Sequence, residues 1–209
     1  MGTPRYPTML QIKNLSFSYH NKEVIYYNDF DFLPGITIIS GVSGCGKSTF
    51  FDLIARTLFP KTGAILWQEV NINFFDKDFY YRYIFGTVTQ NAGLSGYFTL
   101  NNYLAILDYI YPDTEKKIPY FIEKLQLKHL LDEPIENCSG GEKYRINLLI
   151  IVLKGTPLLC LDEPTAHLDE KNKKNVIELL GELEDKVILI ITHDPLLLTC
   201  AGRNSFVMK

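Results

Sequence analysis

The chain has 209 residues, of which 46% are hydrophobic and 22% charged, with a formal net charge of -3. That length suits one domain with a buried core, and the slightly acidic balance leaves no electrostatic case for nucleic-acid binding. No apolar run approaches the roughly 18 residues of a membrane span; the longest are Leu148–Leu153 and Val187–Ile191.

Residues 1–9 are rich in Pro and Gly and end on a second methionine, Met9. They are expected to be a tail or a cloning scar outside the fold. From Leu10 to Tyr19 apolar and polar residues alternate, which predicts a strand with a slip near Asn14. A second strand is predicted from about Val24 to Phe32, ended by Pro34-Gly35. Ile36–Ser40 is a β-branched run of the kind found in buried central strands. It leads straight into GVSGCGKST, Gly41–Thr49. A helix is expected from Lys47, with Phe50, Leu53, Ile54 and Leu58 on one side and a stop at Pro60 and Gly63.

Short strands and turns are expected over 64–76 and a strand over 84–88. Residues 91–134 read as mostly helical, with Leu100–Ile110 and Lys117–Leu127 the clearest pieces. Gly140–Lys154 is apolar all round, so periodicity alone does not assign it; its length and Gly155 favour a buried helix. Leu158–Leu161 and Val187–Ile191 are buried strands. Asp169 reads as the N-cap of a helix whose inner face is Val176, Leu179, Leu180 and Leu183. Phe206–Met208 is a candidate last strand. Strand, glycine loop and helix, followed by strand–helix–strand units, imply a mainly parallel sheet covered by helices.

GVSGCGKS fits the phosphate-loop pattern G-x-x-x-x-G-K-[ST] in full. Gly41, Gly44 and Gly46 let backbone N–H groups turn toward phosphates. Ser43, Cys45 and Thr49 complete the loop. Lys47 can reach the β- and γ-phosphates, and the Ser48 hydroxyl can ligate Mg²⁺. LLCLDE, Leu158–Glu163, ends an apolar strand in two acids. Asp162 is placed to hold Mg²⁺ and Glu163 to act as general base. His193, in ITHD after the next strand, is a candidate γ-phosphate sensor. Gln90 is a candidate for orienting water or Mg²⁺, and Tyr19 for facing adenine. His20, His129 and His167 are read as loop histidines without a role. The four cysteines (Cys45, Cys138, Cys160, Cys200) are widely spaced and predict reduced thiols in a cytosol, not a disulfide framework or a zinc site. A second phosphate-binding element is ENCSGGEKYR, Glu136–Arg145, where Ser139, Gly140 and Gly141 open a predicted helix.

In this order the motifs resemble the ATP-binding cassette (ABC) family, specifically the nucleotide-binding subunit of ABC transporters. The resemblance runs from Leu10 to about Met208. It rests on Tyr19, the phosphate loop, Gln90, the CSGGE signature, Asp162-Glu163, a D-loop at Thr165–Asp169 and His193. It implies an α/β fold: a P-loop NTPase core with a mainly parallel sheet, an N-terminal antiparallel β subdomain and an inserted helical subdomain. The core would span about 10–88 and 155–209, and the helical subdomain about 91–154. It also implies ATP and Mg²⁺ as ligands, with hydrolysis to ADP and phosphate. Two copies would pair head to tail, with Ser139, Gly140 and Gly141 of each closing over the ATP of the other and Asp169 of the D-loop counted among the nucleotide-binding residues. An integral membrane permease subunit would be the further partner, docking near Asn91–Asn101, and the location would be the inner face of the cell membrane.

Three positions depart from the family's usual pattern: Cys138 for leucine, Tyr144 for glutamine, and His167 inside the D-loop. None removes a group expected to touch phosphate, metal or water, so an active ATPase is expected. The short length is similar to that of the ATPases of simple two-component bacterial exporters, some for metal or iron and others for peptides or lipoproteins, and the run Asp162–Val176 resembles the iron-export type. The alternative is a soluble ABC ATPase without a transporter, as in iron–sulfur cluster assembly. A non-catalytic regulator fits less well, because Glu163 and His193 are both retained.

Overall fold

The computed structural model describes residues 9–19, 22–88, 94–111, 114–200 and 204–208. The described residues up to Val88 build parts of two sheets. β1 (Leu10–Tyr19) pairs antiparallel with β2 (Lys22–Tyr27) along its second half and with β3 (Phe30–Phe32) along its first. The single predicted strand over 24–32 is therefore two strands. The break answers the bend in β1, where Asn14 takes a φ of 44°. Asp29, in the gap, accepts from the Asn14 N–H and from Lys13 Nζ, both at 3.1 Å.

β4 (Gly35–Ser40) crosses to the second sheet and is followed by α1 (Lys47–Ile54). This helix is shorter than predicted. Arg56 sits in the left-handed region at φ 58°, and the Thr57 N–H turns back to the Asp52 carbonyl at 3.0 Å. β5 (Thr62–Trp67) returns to the free edge of β1, and β6 (Val70–Asn71) pairs with β5. α2 (Lys77–Phe79), capped by Asp76, runs into a π-helical turn at Tyr80–Ile84 that the sequence reading missed. The wider turn drives Tyr80 into the core, where its hydroxyl donates to the Ile54 carbonyl at 2.8 Å.

β7 (Phe85–Val88) follows, then α3 (Leu100–Ile110), α4 (Ile118–Lys124) and α5 (Gly140–Lys154). β8 (Leu158–Asp162), α6 (Glu170–Gly181), β9 (Val187–Ile191), α7 (Pro195–Cys200) and β10 (Ser205–Val207) complete the chain. The second sheet has the order β10-β4-β9-β8-β7 and every pairing in it is parallel.

Both faces of this sheet are covered, which explains its unbroken apolar runs. Leu159, Leu161, Ile188 and Ile190 face the layer formed by α3, α5 and α6. Leu158, Cys160, Val187 and Leu189 face α1 and the antiparallel sheet. The period of two along each strand thus splits one apolar run between two cores.

A buried polar link ties α5 to α6. Arg145 Nη1 donates to the Leu125 carbonyl at 2.7 Å and to Asn172 Oδ1 at 3.0 Å. Asn172 in turn donates through its backbone and its side chain to the two oxygens of Asp169, the cap of α6. Burial pulls the Arg145 pKa below its ordinary value, but the acceptors around it are all satisfied by the charged form. Arg145→Met leaves those acceptors buried and unpaired. The expected loss is about 2–3 kcal/mol of unfolding free energy, read by chemical denaturation.

Candidate nucleotide site

Strand register places the site. Ile39 pairs with Ile191, and Ile191 pairs with Asp162, so β4, β9 and β8 end in one row. The chain beyond each strand spills onto the same edge. There it lines an open cleft of about 830 Å³.

One wall is the loop from Val42 to Thr49. Gly41, Gly44 and Gly46 have φ of 150°, 80° and 98°. Gly41 is also fixed by crowding, since a Cβ there would lie 2.6 Å from both Cys45 Sγ and the Met208 carbonyl. Gly46 caps α1, so the first N–H groups of that helix point into the loop. Lys47 Nζ lies across the mouth, donating to the carbonyls of Gly41 at 2.8 Å and Val42 at 3.2 Å. Tyr19 reaches the same cleft from the antiparallel sheet, its ring edge-on to Phe17.

The facing wall holds Asp162, Glu163 and His193. Glu163 is the first residue past β8 and takes a φ of 47°. Its N–H donates to the Ile191 carbonyl at 2.8 Å, which turns its side chain across the end of β9. There Oε2 accepts from Thr192 Oγ1 at 3.2 Å and from the His193 N–H at 3.3 Å. His193 Nε2 lies 3.9 Å from Glu163 Oε1 and is largely exposed. Thr165 Oγ1 donates to Asp194 Oδ2 at 2.7 Å, fastening the D-loop to the same segment. Thr192 and Asp194 were passed over in the sequence reading, although both belong to the ITHD run that marked His193.

Asp162 opens to the cleft on one side and is packed by protein on the other. That partial burial is the main cause raising its pKa; neighbouring Glu163 adds to it and Lys47 opposes it. Among the described residues its carboxylate accepts no hydrogen bond. With the Ser48 hydroxyl, which borders the same cavities, it forms a pair of hard oxygen donors that fits Mg²⁺.

The second glycine element stands apart. Ser139, Gly140, Gly141 and Asp169 do not line the cleft of their own chain. Ser139 caps α5 in a reciprocal box with Glu142. The two glycines differ. A Cβ on Gly141 would meet the His167 carbonyl at 2.6 Å, whereas one on Gly140 would meet nothing within 4 Å. Asp169 is occupied in capping α6, as the sequence reading expected. Gln90 lies outside the described residues.

A phosphate loop between a central parallel strand and a helix, faced by an acidic strand end, defines a nucleotide-binding protein of the P-loop class. The family described as ABC transporter matches residues 29–166, and the chain belongs to that family as an ATP-binding protein. It is 32% identical over 171 residues to the ABC transporter ATP-binding/permease protein Rv1747 of Mycobacterium tuberculosis, covering 77% of this chain but only 19% of that protein's length. It is 28% identical to the uncharacterized ABC transporter ATP-binding protein YclH of Bacillus subtilis, covering 90% of this chain and 88% of that one. Among solved structures it is similar to cbiO1 from Clostridium perfringens, part of the ABC transporter complex cbiONQ. The TM-score is 0.79 at 26% identity, covering 97% of this chain and 85% of that one.

Two outcomes follow from the geometry. Gly141→Ala lowers the melting temperature, because its Cβ collides with the D-loop backbone, while Gly140→Ala leaves it unchanged or higher; differential scanning calorimetry of both reads this directly. For Asp162 the sign is unusual for a carboxylate. Its folded pKa is raised, so ionisation costs stability as pH climbs from the unfolded value toward the folded one, and the cost persists above it. Asp162→Asn therefore raises the melting temperature of the nucleotide-free protein at pH 7.5, and the gain fades as pH falls toward 4.

Proposed function

We propose that this chain binds and hydrolyses ATP with Mg²⁺ as one half of a head-to-tail dimer, and that the cycle drives an integral membrane permease made as a separate chain. The observation that carries the reading is the one-sidedness of the cleft. Loop, acids and histidine share one chain, while Ser139 and Gly140 present a second helix N-terminus to open space. Gly140 has no steric reason within its own fold to be glycine. A close approach from outside supplies one.

In this reading Tyr19 faces adenine and the N–H groups of Gly44 to Thr49 cradle the phosphates. Lys47 exchanges the Gly41 and Val42 carbonyls for phosphate oxygens. Ser48 and Asp162 would hold Mg²⁺, with Gln90 as a further candidate; the ion supplies charge neutralisation for the departing phosphate. Glu163 polarises the attacking water, and its hydrogen bonds to Thr192 and His193 link that role to the γ-phosphate sensor. Ser139 and the N–H groups of Gly140 and Gly141 contact the γ-phosphate held by the other copy, with Asp169 at the end of the D-loop at the same junction. Loss of that phosphate removes the contact and releases the dimer.

A membrane partner is supported by the cbiO1 likeness and by exposed aromatic side chains. Tyr97 and Phe98 lie in the proposed docking segment, of which Asn91–Gly93 fall outside the described residues. Phe79 and Tyr83 are exposed on and beside the π turn. No helix among the described residues is long and apolar enough to cross a membrane. In this reading the permease holds the chain on the membrane's inner face. The proposed core (about 10–88 and 155–209) and helical subdomain (about 91–154) would move against each other during the cycle. Export is the direction proposed, and the likeness of Asp162–Val176 to ATPases of the iron-export type supports it.

Glu163→Gln is expected to bind ATP and accumulate as a stable dimer in light scattering, with hydrolysis lowered by two or more orders of magnitude (~10²–10⁴, the usual worth of a general base). Hydrolysis at the wild-type rate would reject Glu163 as the base. The same variant, isolated with ATP and Mg²⁺ from detergent-treated native membranes, is expected to bring down a multi-span protein in stoichiometric amount. A purely soluble partner would favour the iron–sulfur assembly alternative.

A further inference from the structure

Ser139 carries one hydroxyl proton, and the structure shows where it goes. Oγ donates to Glu142 Oε2 at 2.7 Å, and the same carboxylate oxygen accepts the Ser139 N–H at 2.8 Å. A phosphate oxygen is only an acceptor. To bind it, the hydroxyl must turn its proton away from Glu142, which sits beside the incoming anion with a full negative charge. Glu142 stays ionised because the Ser139 hydroxyl, then the Ser139 N–H, hold its pKa below the ordinary value, with His129 and Arg145 adding to this against burial. The carboxylate is therefore both the cap of α5 and a competitor for the phosphate.

Its other oxygen is engaged from outside the helix. His129 Nε2 lies 3.3 Å from Glu142 Oε1, and since a carboxylate only accepts, the ring N–H donates. His129 belongs to a short 3-10 turn, Lys128–Leu130, between α4 and α5. Leu130 in that turn is buried, and its N–H bonds back to the Leu127 carbonyl at 2.9 Å, so the backbone that presents the imidazole is anchored.

We propose that His129 is a positioning residue for the signature serine, acting through Glu142. By donating to Oε1 it offsets part of the carboxylate's charge and weakens the grip of Oε2 on Ser139. The hydroxyl then turns more readily to a phosphate, and the helix end presents a less negative face to it. The inference rests on the reading that Ser139 meets the nucleotide of a second copy. Among the described residues His129 bonds to Glu142 and does not line its own chain's cleft, so its effect falls on dimer closure and not on loading of the phosphate loop.

The experiment measures the dimer dissociation constant with ATP and Mg²⁺ by sedimentation, in the hydrolysis-deficient Glu163→Gln background. His129→Ala is expected to weaken the dimer about three- to fivefold, the scale of an exposed ion-pair-type contact. His129→Gln, whose amide N–H reaches a similar position, is expected to restore it. The effect is expected to vanish when Glu142→Gln is also present, because the competing charge is gone. Affinity of the dilute monomer for a fluorescent ATP analogue stays unchanged. An unchanged dimer constant in His129→Ala, or a loss that persists beside Glu142→Gln, overturns the inference. Ser139→Ala is the control for the underlying reading. If it fails to weaken the dimer, the contact in trans is wrong and the inference goes with it; if it weakens the dimer while His129→Ala does not, only the inference goes.

Discussion

Three parallel strands ending at one level make this cleft. The ladder that pairs Ile39 with Ile191 and Ile191 with Asp162 sets the phosphate loop, the acid pair and His193 on a single edge. A one-residue slip of β8 would turn every side chain of that strand to the opposite core. It would exchange Leu159 and Leu161 for Leu158 and Cys160 and carry Asp162 out of line. The register is thus defended by two apolar cores that do no chemistry. The placement of the cleft residues is inherited from packing.

Electrostatics at that edge pull against the fold. Asp162 and Glu163 are neighbours, and burial already raises the Asp162 pKa. Lys47 partly offsets this, yet its ammonium donates to loop carbonyls in the structure. A divalent cation with a polyphosphate would satisfy both sides together: the cation would meet the acid and the phosphates the lysine. Ligand affinity and the strain of the ligand-free site are then two aspects of one arrangement.

Much of this was legible in the residues. The phosphate loop is a contiguous pattern with its strand before it and its helix after it. Gly140–Lys154 and Leu100–Ile110 were bounded correctly because serine, threonine and glycine caps mark their ends. What escaped was set by contacts across the sequence. The split between β2 and β3 follows from Asp29 reaching back to Asn14. The π turn at Tyr80–Ile84 carries Tyr80 to the Ile54 carbonyl, a contact made far back along the chain. Among site residues, Thr192 and Asp194 gave no signal beyond their place beside His193. The sequence around His129 reads as a loop, and nothing local in it shows that the ring faces Glu142 thirteen residues on.

The central claim is that each nucleotide site is completed by another copy of the chain. The most direct measurement mixes two inactive proteins. Lys47→Ala has a disabled phosphate loop and an intact signature; Ser139→Arg has the reverse. Each alone is expected to be nearly inactive in ATP hydrolysis. A mixed dimer contains one intact site, built from the loop of one copy and the signature of the other, so mixing is expected to restore a substantial fraction of the wild-type rate. If the mixture stays as inactive as its parts, the sites are not shared between chains and the account fails at its root.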